Sequence, residues 1–162
     1  MTIAVGDRLP AATLTRVGEK GPEPVALAGV LKGRKVAIFG LPGAYTGTCS
    51  TAHVPSFMRV RAALAEKGVD EVICVSVNDA FVMKAWGEAT GATAAGITML
   101  ADADSSLTKA LGMEFSAPAI GFIDRSKRYS LYAEDGVVKQ LNLEENAGAC
   151  EISAGETLLG QI

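Results

Sequence analysis

The sequence predicts an α/β fold in which a central mixed β-sheet is flanked by helices on both faces. Two short runs, Lys35–Phe39 and Asp70–Val77, are apolar at both alternating sets of positions, which is typical of central strands covered on both sides. The segment between them has helical spacing, and a hairpin followed by a helix is predicted near the end of the chain. An early strand–helix–strand unit and a late hairpin together indicate a mixed sheet.

The first half of the chain supplies the strand–helix–strand unit. Residues 18–24, with the sequence GEKGPEP, are rich in turn-forming residues and predict an early loop. After the first strand, apolar residues recur at steps of three and four and predict an amphipathic helix; they are Val54, Phe57, Val60 and Leu64. Lys67 and Gly68 signal the end of this helix, and Pro55 predicts a kink or break near its beginning.

Three further elements follow the second apolar run. Asn78 and Asp79 are suited to cap a helix that extends to about Thr90. Ile97–Ala101 predicts another strand, and Asp104–Leu111 predicts a short helix that ends at the next glycine. Helices and strands therefore alternate through the middle of the chain.

The last third of the chain predicts a hairpin and a closing helix. Ala119–Ile123 and Arg128–Ala133 are interpreted as one broken strand, which is followed by the strand Val137–Leu143. Asp135–Gly136 between them is a strong hairpin turn signal. Ser153–Leu159 predicts the closing helix. This order of elements is typical of the thioredoxin-like fold.

Composition excludes several classes of function. The 162 residues predict one domain spanning 1–162, with a net charge of -3 and no basic block, so nucleic acid is not expected as a partner. No segment approaches the roughly 18 continuous apolar residues of a membrane span, so no membrane partner is expected either. The three cysteines lie far apart without a CxxC pair, which argues against a secreted disulfide framework. We expect the cytoplasm, although a mature organellar protein would have the same features.

The most informative segment is GLPGAYTGTCSTAH, residues 40–53, where a strand feeds a glycine-rich loop and the start of a helix. Cys49 lies at that helix start, where unpaired N–H groups and the helix dipole favour an anion such as a thiolate. Thr46 can direct a hydroxyl at the sulfur, and Pro42 can stiffen the loop and shield it from water. The alternative is that Cys49 is simply a small buried apolar residue.

Other chemistries that use such a loop are poorly supported. A phosphate-binding loop lacks its lysine, a phosphatase-type loop would need arginine where Pro55 stands, and dithiol exchange would need cysteine where Ala52 stands. One histidine and three scattered cysteines do not favour zinc, which takes about four ligands. Cys49 and His53 lie four residues apart, which allows a Cys–His nucleophile, but such a histidine more often braces the pocket.

Peroxide reduction fits the loop and needs no cofactor. It requires a thiolate, donors that hold the O–O bond in line with the sulfur, and a cation that stabilises the leaving oxygen. Arg125 and Arg128, in the region of the late strands, are the candidates for the cation. For each arginine, the alternative is a solvated charge at the surface.

The segment Pro42-x-x-x-Thr46-x-x-Cys49 resembles the P-x-x-x-T-x-x-C signature of peroxiredoxins. The longer string PGAYTGTCSTAHVPSF resembles the type II, peroxiredoxin-5-like subfamily. The similarity continues through VDEVICVSVNDAFVMKAWG, KRYSLYAEDGVV and GACEISAGETLL, and so covers nearly the whole chain. The resemblance implies a thioredoxin-like thiol peroxidase that acts on hydrogen peroxide and organic hydroperoxides.

The resemblance also implies a role for each residue of the loop. Cys49 would be the peroxidatic cysteine, Thr46 would bond both sulfur and peroxide, Pro42 would shield the site, and Arg128 would supply the guanidinium. The backbone N–H groups of Gly43 and Cys49 would bind peroxide oxygen. His53 matches a pocket histidine of the subfamily. Arg125 matches no catalytic position and is expected at the surface.

The sulfenic acid formed on the peroxidatic cysteine must be resolved by a second thiol. Cys150 resembles the resolving cysteine of atypical two-cysteine members, and Cys74 matches a second cysteine of plant-type members in an apolar strand. If neither acts, glutathione or glutaredoxin attacks directly; thioredoxin is the other candidate reductant. The family implies a homodimer. A peroxide sensor that oxidises a partner protein, or a scaffold with an inert Cys49, is the alternative function.

Overall fold

The computed structural model describes residues 1–162 and contains two β-sheets. The nine strands are β1 (Thr13–Gly18), β2 (Gly21–Ala26), β3 (Lys35–Leu41), β4 (Glu71–Ser76), β5 (Ile97–Ala101), β6 (Glu114–Ala117), β7 (Phe122–Ser126), β8 (Tyr129–Glu134) and β9 (Val137–Leu143). Seven of them form one sheet in the order β2-β1-β5-β4-β3-β8-β9, and β6 pairs with β7 in a second sheet. Because β3, β4 and β5 are parallel and the remaining pairs antiparallel, the predicted mixed sheet is confirmed.

Helices cover both faces of the large sheet, as predicted. They are α1 (Leu27–Leu31), α2 (Val54–Glu66), α3 (Ala80–Thr90), α4 (Ser106–Ala110) and α5 (Gly155–Gln161). Helices α2, α3 and α5 contribute to the core on one face, and α1 and α4 contribute to the core on the other. None of the helices is long and apolar enough to cross a lipid bilayer.

The central strand β3 shows why its sequence is apolar at successive positions. Ala37, Phe39 and Leu41 belong to the core under α2, whereas Val36 and Ile38 belong to the core on the opposite face. A strand with water on one face would need polar residues at every second position, and β3 has none after its first residue. The buried sheet therefore fixes the point from which the glycine-rich loop leaves.

The beginning of α2 confirms the break predicted near Pro55. Helical backbone starts at Gly47, but residues Cys49–His53 form a π-helical turn before the regular helix. The Val54 N–H accordingly donates to the Cys49 carbonyl, five residues back. Proline has no N–H to continue an α-helical ladder, so a wider turn directly before it is tolerated.

Residues 18–24 do not form the predicted loop. They lie in the hairpin of β1 and β2, with the turn at residues 19 and 20. β2 is an edge strand, so its outward N–H groups face no partner, and Pro22 and Pro24 are tolerated there. The prolines that predicted a loop in this segment therefore belong to an edge strand.

The predicted unit of Ala119–Ile123 plus Arg128–Ala133 is also wrong, because its two parts lie in different sheets. β7 pairs with β6 outside the large sheet, and only β8 joins β3. Gly121 and Asp124 adopt left-handed backbone, with φ of 80 and 49 degrees, and such residues break an extended strand. The resulting bend brings β7 and the start of β8 to the glycine-rich loop after β3.

Two turn and cap predictions are confirmed. Asp79 caps α3 by accepting a hydrogen bond from the Val82 N–H at 2.8 Å. Asp135 and Gly136 both have positive φ, 49 and 78 degrees, as a two-residue hairpin turn between β8 and β9 requires.

Candidate active site

The loop after β3 is held in place by hydrogen bonds to itself and to the end of β4. The Thr46 hydroxyl donates to the Gly43 carbonyl at 2.7 Å, which closes the loop across three residues. The Ala44 N–H donates to Asn78 Oδ1 at 2.9 Å, and the Ser76 hydroxyl donates to the same oxygen at 2.6 Å. The loop is therefore fixed relative to the sheet before any substrate arrives.

Cys49 lies in the first turns of the helix and is fully buried. The Ser50 N–H donates to the Thr46 carbonyl at 3.0 Å, so the helix begins directly at the loop. The π-helical turn that starts at Cys49 is a local irregularity of a kind found often at functional sites. The N-terminal end of the helix favours negative charge on this sulfur.

Arg128, just before β8, joins the elements of the site. Its side chain is buried, and Nη2 donates to Cys49 Sγ at 3.1 Å. Nη1 lies 3.1 Å from His53 Nδ1, and Nε donates to the Ala147 carbonyl at 3.0 Å. A buried guanidinium beside a sulfur stabilises the thiolate and, later, charge on an oxygen held there.

His53 serves as an acceptor for this guanidinium. Burial, reinforced by the charge of Arg128, lowers the pKa of His53 to about 3, so the ring is neutral at pH 7. Since an arginine donates only, Nδ1 accepts; Nε2 therefore carries the proton and donates to the Ser153 carbonyl at 3.0 Å. Phe39 lies 4.9 Å from the ring, between centroids. His53 thus braces the site and does not activate Cys49 as a base.

The segment from Glu144 to Ser153 closes one side of the site. One oxygen of the buried Glu144 carboxylate accepts hydrogen bonds from the Ser153 N–H, the Ser153 hydroxyl and the Glu151 N–H, at 2.6 to 2.8 Å. Burial alone would raise the pKa of Glu144, but these hydrogen bonds outweigh it and lower the pKa. The Thr48 hydroxyl donates to the Gly148 carbonyl at 2.8 Å, which ties this segment to the residue before Cys49.

A pocket of about 430 Å³ opens above Arg128. It is lined by the active-site loop, by β6 and β7, and by the segment before Cys150; the lining residues are Pro42, Thr46, Gly47, Thr48, Phe115, Ile120, Phe122, Arg128, Asn146, Ala147 and Gly148. A small polar molecule that enters this pocket contacts a wall that includes Arg128 and two aromatic side chains, Phe115 and Phe122. No group of three or more His, Cys, Asp or Glu residues is arranged to hold a metal ion.

The two other cysteines differ in their surroundings. Cys74 is fully buried in β4, opposite Phe39 on β3. Burial raises the pKa of the Cys74 thiol well above its usual range, and the negative charge of a nearby Cys49 thiolate would raise it further. Cys150 is half-buried, and burial raises the pKa of its thiol as well. All three cysteines are free thiols.

The structure brings together Cys49, His53 and Arg128, and it places Pro42 and Thr46 on the pocket wall. Thr46 donates its hydroxyl proton to the Gly43 carbonyl, so its expected bond to the sulfur is not formed in this state.

Arg125 differs from the expectation of a surface charge. It is half-buried, and its Nη1 donates to the Pro42 carbonyl at 3.1 Å. The sequence marks Arg125 only as one of two candidate cations. Its contact with Pro42 could not be predicted, because Pro42 lies 83 residues away and the bend in β7 creates the contact.

Comparison with known proteins agrees with this geometry. The profile of the Redoxin family matches residues 4–159. Peroxiredoxin-2E-2, chloroplastic, from Oryza sativa subsp. japonica is 49% identical over 98% of this chain and 72% of its own length. Peroxiredoxin-2F, mitochondrial, from Arabidopsis thaliana is 46% identical over 84% of this chain and 67% of its own length.

Solved structures show the same fold. Reduced Prx3 from Vibrio vulnificus in complex with H2O2 superposes with a TM-score of 0.93 at 45% identity, covering 99% of both chains. Peroxiredoxin 5 from Alvinella pompejana superposes with a TM-score of 0.83 at 29% identity, covering 97% of this chain and 96% of its own. The chain therefore belongs to the Redoxin family, as a thioredoxin-fold peroxiredoxin of the type II, peroxiredoxin-5-like subfamily.

Proposed function

We propose that the protein reduces hydrogen peroxide and organic hydroperoxides through Cys49. The observation that carries the proposal is the 3.1 Å contact between the buried Arg128 guanidinium and Cys49 Sγ. The Cys49 thiolate attacks one peroxide oxygen, the O–O bond breaks, and the other oxygen leaves as hydroxide or alkoxide and takes up a proton. Cys49 becomes a sulfenic acid, oxidised by two electrons, and water or alcohol is released.

The surrounding groups have roles that follow from their positions. Arg128 stabilises negative charge on the leaving oxygen, since its guanidinium is always protonated. Thr46, on the pocket wall, exchanges its bond to the Gly43 carbonyl for one to sulfur or peroxide. Pro42 limits access of water, and the N–H groups of Gly43 and Cys49 bind peroxide oxygen. In this proposal, residues 1–162 act as one catalytic domain.

Cys150 is the thiol that we propose for resolution. It attacks the sulfenic sulfur, a Cys49–Cys150 disulfide forms, and water leaves. Its segment already contacts the residue before Cys49 through the Thr48–Gly148 hydrogen bond, whereas Cys74 would have to leave the core of β4. The disulfide is then reduced by thioredoxin or by glutathione with glutaredoxin.

Two wider properties belong to the same proposal. Exposed apolar side chains near the active-site loop, including Tyr45 and Ile120, support a homodimer that packs through this region. The reaction needs a reducing compartment, the cytosol or the interior of an organelle. Two of the relatives described above are named as chloroplastic and mitochondrial proteins, which supports an organelle.

The deciding experiment combines turnover with mass spectrometry. The reduced protein receives one equivalent of hydroperoxide, and intact mass and peptide mapping follow; Cys49→Ser and Cys74→Ser are the test and control variants. We expect loss of two hydrogens, a Cys49–Cys150 crosslink and turnover with a thiol reductant, all retained by Cys74→Ser. One added oxygen on Cys49 assigns resolution to an external thiol. An unmodified Cys49 contradicts the peroxidase function, and oxidation without turnover identifies a sensor.

A further inference from the structure

Arg125 is held against the active-site loop without a carboxylate partner. Its Nη1 donates to the Pro42 carbonyl at 3.1 Å, and its guanidinium carbon lies 5.2 Å from the centre of the Phe122 ring. The ion pairs of the structure involve other basic residues. The positive charge of Arg125 is therefore directed at a single peptide group, that of Pro42 and Gly43.

The other end of that peptide group is the Gly43 N–H. Gly43 is buried, and its N–H donates to no acceptor within the protein. Nearly all buried N–H groups in proteins are paired, so one that is not is a donor available to a ligand. Because the peptide is planar, a bond that fixes the Pro42 carbonyl also fixes the direction of the Gly43 N–H. A charged donor on the carbonyl further polarises the unit and makes the N–H a stronger donor.

The contact also restricts which residue can stand at position 43. A Cβ on Gly43 would lie 2.5 Å from Arg125 Nη1 and 3.3 Å from Thr46 Cγ2. The first distance is too short, so an alanine there forces the guanidinium away from the Pro42 carbonyl. Arg125 can therefore approach the Pro42 carbonyl this closely only because residue 43 has no side chain.

We propose that Arg125 is a positioning residue for peroxide binding, which orients and polarises the Gly43 N–H through the Pro42 carbonyl. The proposal rests on the proposed peroxidase function and deepens it. Arg125 donates to neither Cys49 nor His53, so it acts on the bound peroxide and leaves the nucleophile unchanged.

The test separates an effect on peroxide binding from an effect on the reactivity of the Cys49 thiolate. Stopped-flow oxidation of Cys49 by H2O2 is measured for wild type, Arg125→Met and Arg125→Lys, together with the pH profile of Cys49 alkylation by iodoacetamide. We expect Arg125→Met to lower the second-order rate constant for peroxide by about tenfold, the size of one charged hydrogen bond. Arg125→Lys retains a charged donor and recovers part of the loss. The alkylation profile stays that of wild type.

The control variant is Arg61→Met. Arg61 also donates to a backbone carbonyl, that of Gly96 at 3.2 Å, but it lies on α2 away from the site, and its loss should leave the peroxide rate unchanged. Gly43→Ala should reproduce the defect of Arg125→Met, and the double variant should lose no more than either alone. Gly43→Ala keeps the arginine, so it tests the contact by itself even if Arg125→Met is poorly folded; a wild-type peroxide rate in Gly43→Ala would then overturn the proposal.

The outcomes are distinct. A wild-type rate in Arg125→Met, or additive losses in the double variant, overturns the role of Arg125 and leaves the peroxidase intact. A parallel fall in alkylation and peroxide rates assigns Arg125 to general support of the loop and also overturns the proposal. If wild-type Cys49 does not react with H2O2, the peroxidase function itself fails.

Discussion

Arg128 is the only arginine in the buried core, and each of its side-chain nitrogens has a partner. A guanidinium this buried must be paired, since desolvating a lone charge is costly. The sulfur of Cys49 and the neutral ring of His53 provide that pairing, so the charge is available to a reacting oxygen.

Replacing Arg128 with alanine therefore tests transition-state stabilisation. We expect Arg128→Ala to slow peroxide reduction by roughly a hundredfold or more, in the range found when one preorganised donor is removed from an anion site. Cys49→Ser should abolish the reaction. Peroxide consumption with excess thiol measures both, and Lys109→Ala, whose ion pair with Asp124 is exposed, is the control. Full activity in Cys49→Ser would contradict peroxide reduction by the Cys49 thiolate.

His53 gives a prediction about stability and pH. Its pKa is lowered to about 3 in the folded protein by burial and by Arg128, against 6.5 for a free histidine. At pH values between about 3 and 6.5, the His53 side chain is protonated in the unfolded chain but neutral in the native protein. The unfolded chain therefore binds one more proton, and the free energy of unfolding falls as the pH decreases below 6.5. The slope from this residue is about 1.4 kcal/mol per pH unit.

Urea unfolding at pH 4.5, 5.5 and 7 measures this dependence, with His53→Gln as the comparison. A glutamine does not titrate, so the difference in unfolding free energy between the two proteins should change across that interval. The other titratable groups are the same in the two proteins, so their contributions cancel in this difference. Parallel pH dependences would show that His53 takes up its proton over the same pH range in the native protein as in the unfolded chain, which contradicts a lowered pKa.

At the scale of single residues, the peroxiredoxin signature located the cysteine loop, and the resemblance of the segment KRYSLYAEDGVV located Arg128. Each of these is a local pattern of neighbouring residues. The neutral state of His53 and the contact of Arg125 with Pro42 were not predictable in this way. The neutral state of His53 depends on burial and on the charge of Arg128, which lies 75 residues away in the sequence. The contact of Arg125 with Pro42 depends on the bend in β7.

At the scale of elements, the proposed Cys49–Cys150 disulfide requires the segment from Glu144 to Ser153 to move toward Cys49. The Glu144 carboxylate accepts three hydrogen bonds from the far end of the segment, and Ser153 in turn receives the His53 N–H. Charged acceptors form the stronger hydrogen bonds, so the carboxylate holds the segment closed.

Glu144→Gln should weaken this closure and speed disulfide formation. The amide retains one acceptor oxygen but loses the charge, so we expect the sulfenic acid of Cys49 to convert to the disulfide several-fold faster, and Cys150 to be alkylated faster in the Cys49→Ser background. Glu145→Gln is a matched control, since Glu145 is exposed and adjacent. Unchanged Cys150 reactivity in Glu144→Gln would show that the carboxylate does not hold the segment.

Elements with a clear period were predicted and those without one were not. β3, β4 and α3 have long apolar patterns or a cap, and their positions agree with the prediction. β6 is four residues long, in a two-stranded sheet apart from the main one, and its half-exposed alternation is too short to recognise. β2 was missed because its prolines are turn-forming residues that an edge strand also tolerates.

At the scale of the whole molecule, several large apolar side chains remain outside both cores. Tyr45, Phe81, Ile120 and Ile123 are between 58% and 68% exposed. Tyr45 belongs to the active-site loop, Phe81 follows the Asn78 that anchors this loop, and Ile120 lines the pocket. An apolar surface gathered around a functional loop is typical of an interaction site, which supports the proposed homodimer.

The homodimer predicts that charge on this surface separates the subunits. A Phe81→Asp or Ile120→Asp substitution places a carboxylate where apolar contact is expected, so both variants should sediment as monomers at concentrations where wild type sediments as a dimer. Val5→Asp is the control, because Val5 is also 58% exposed but lies near β9, where the Gly6 N–H donates to the Val138 carbonyl. A monomeric wild type contradicts the dimer. A Phe81→Asp protein that remains dimeric would instead place the interface on another surface. Peroxide turnover by the monomeric variants would show whether the reaction of Cys49 requires the partner subunit.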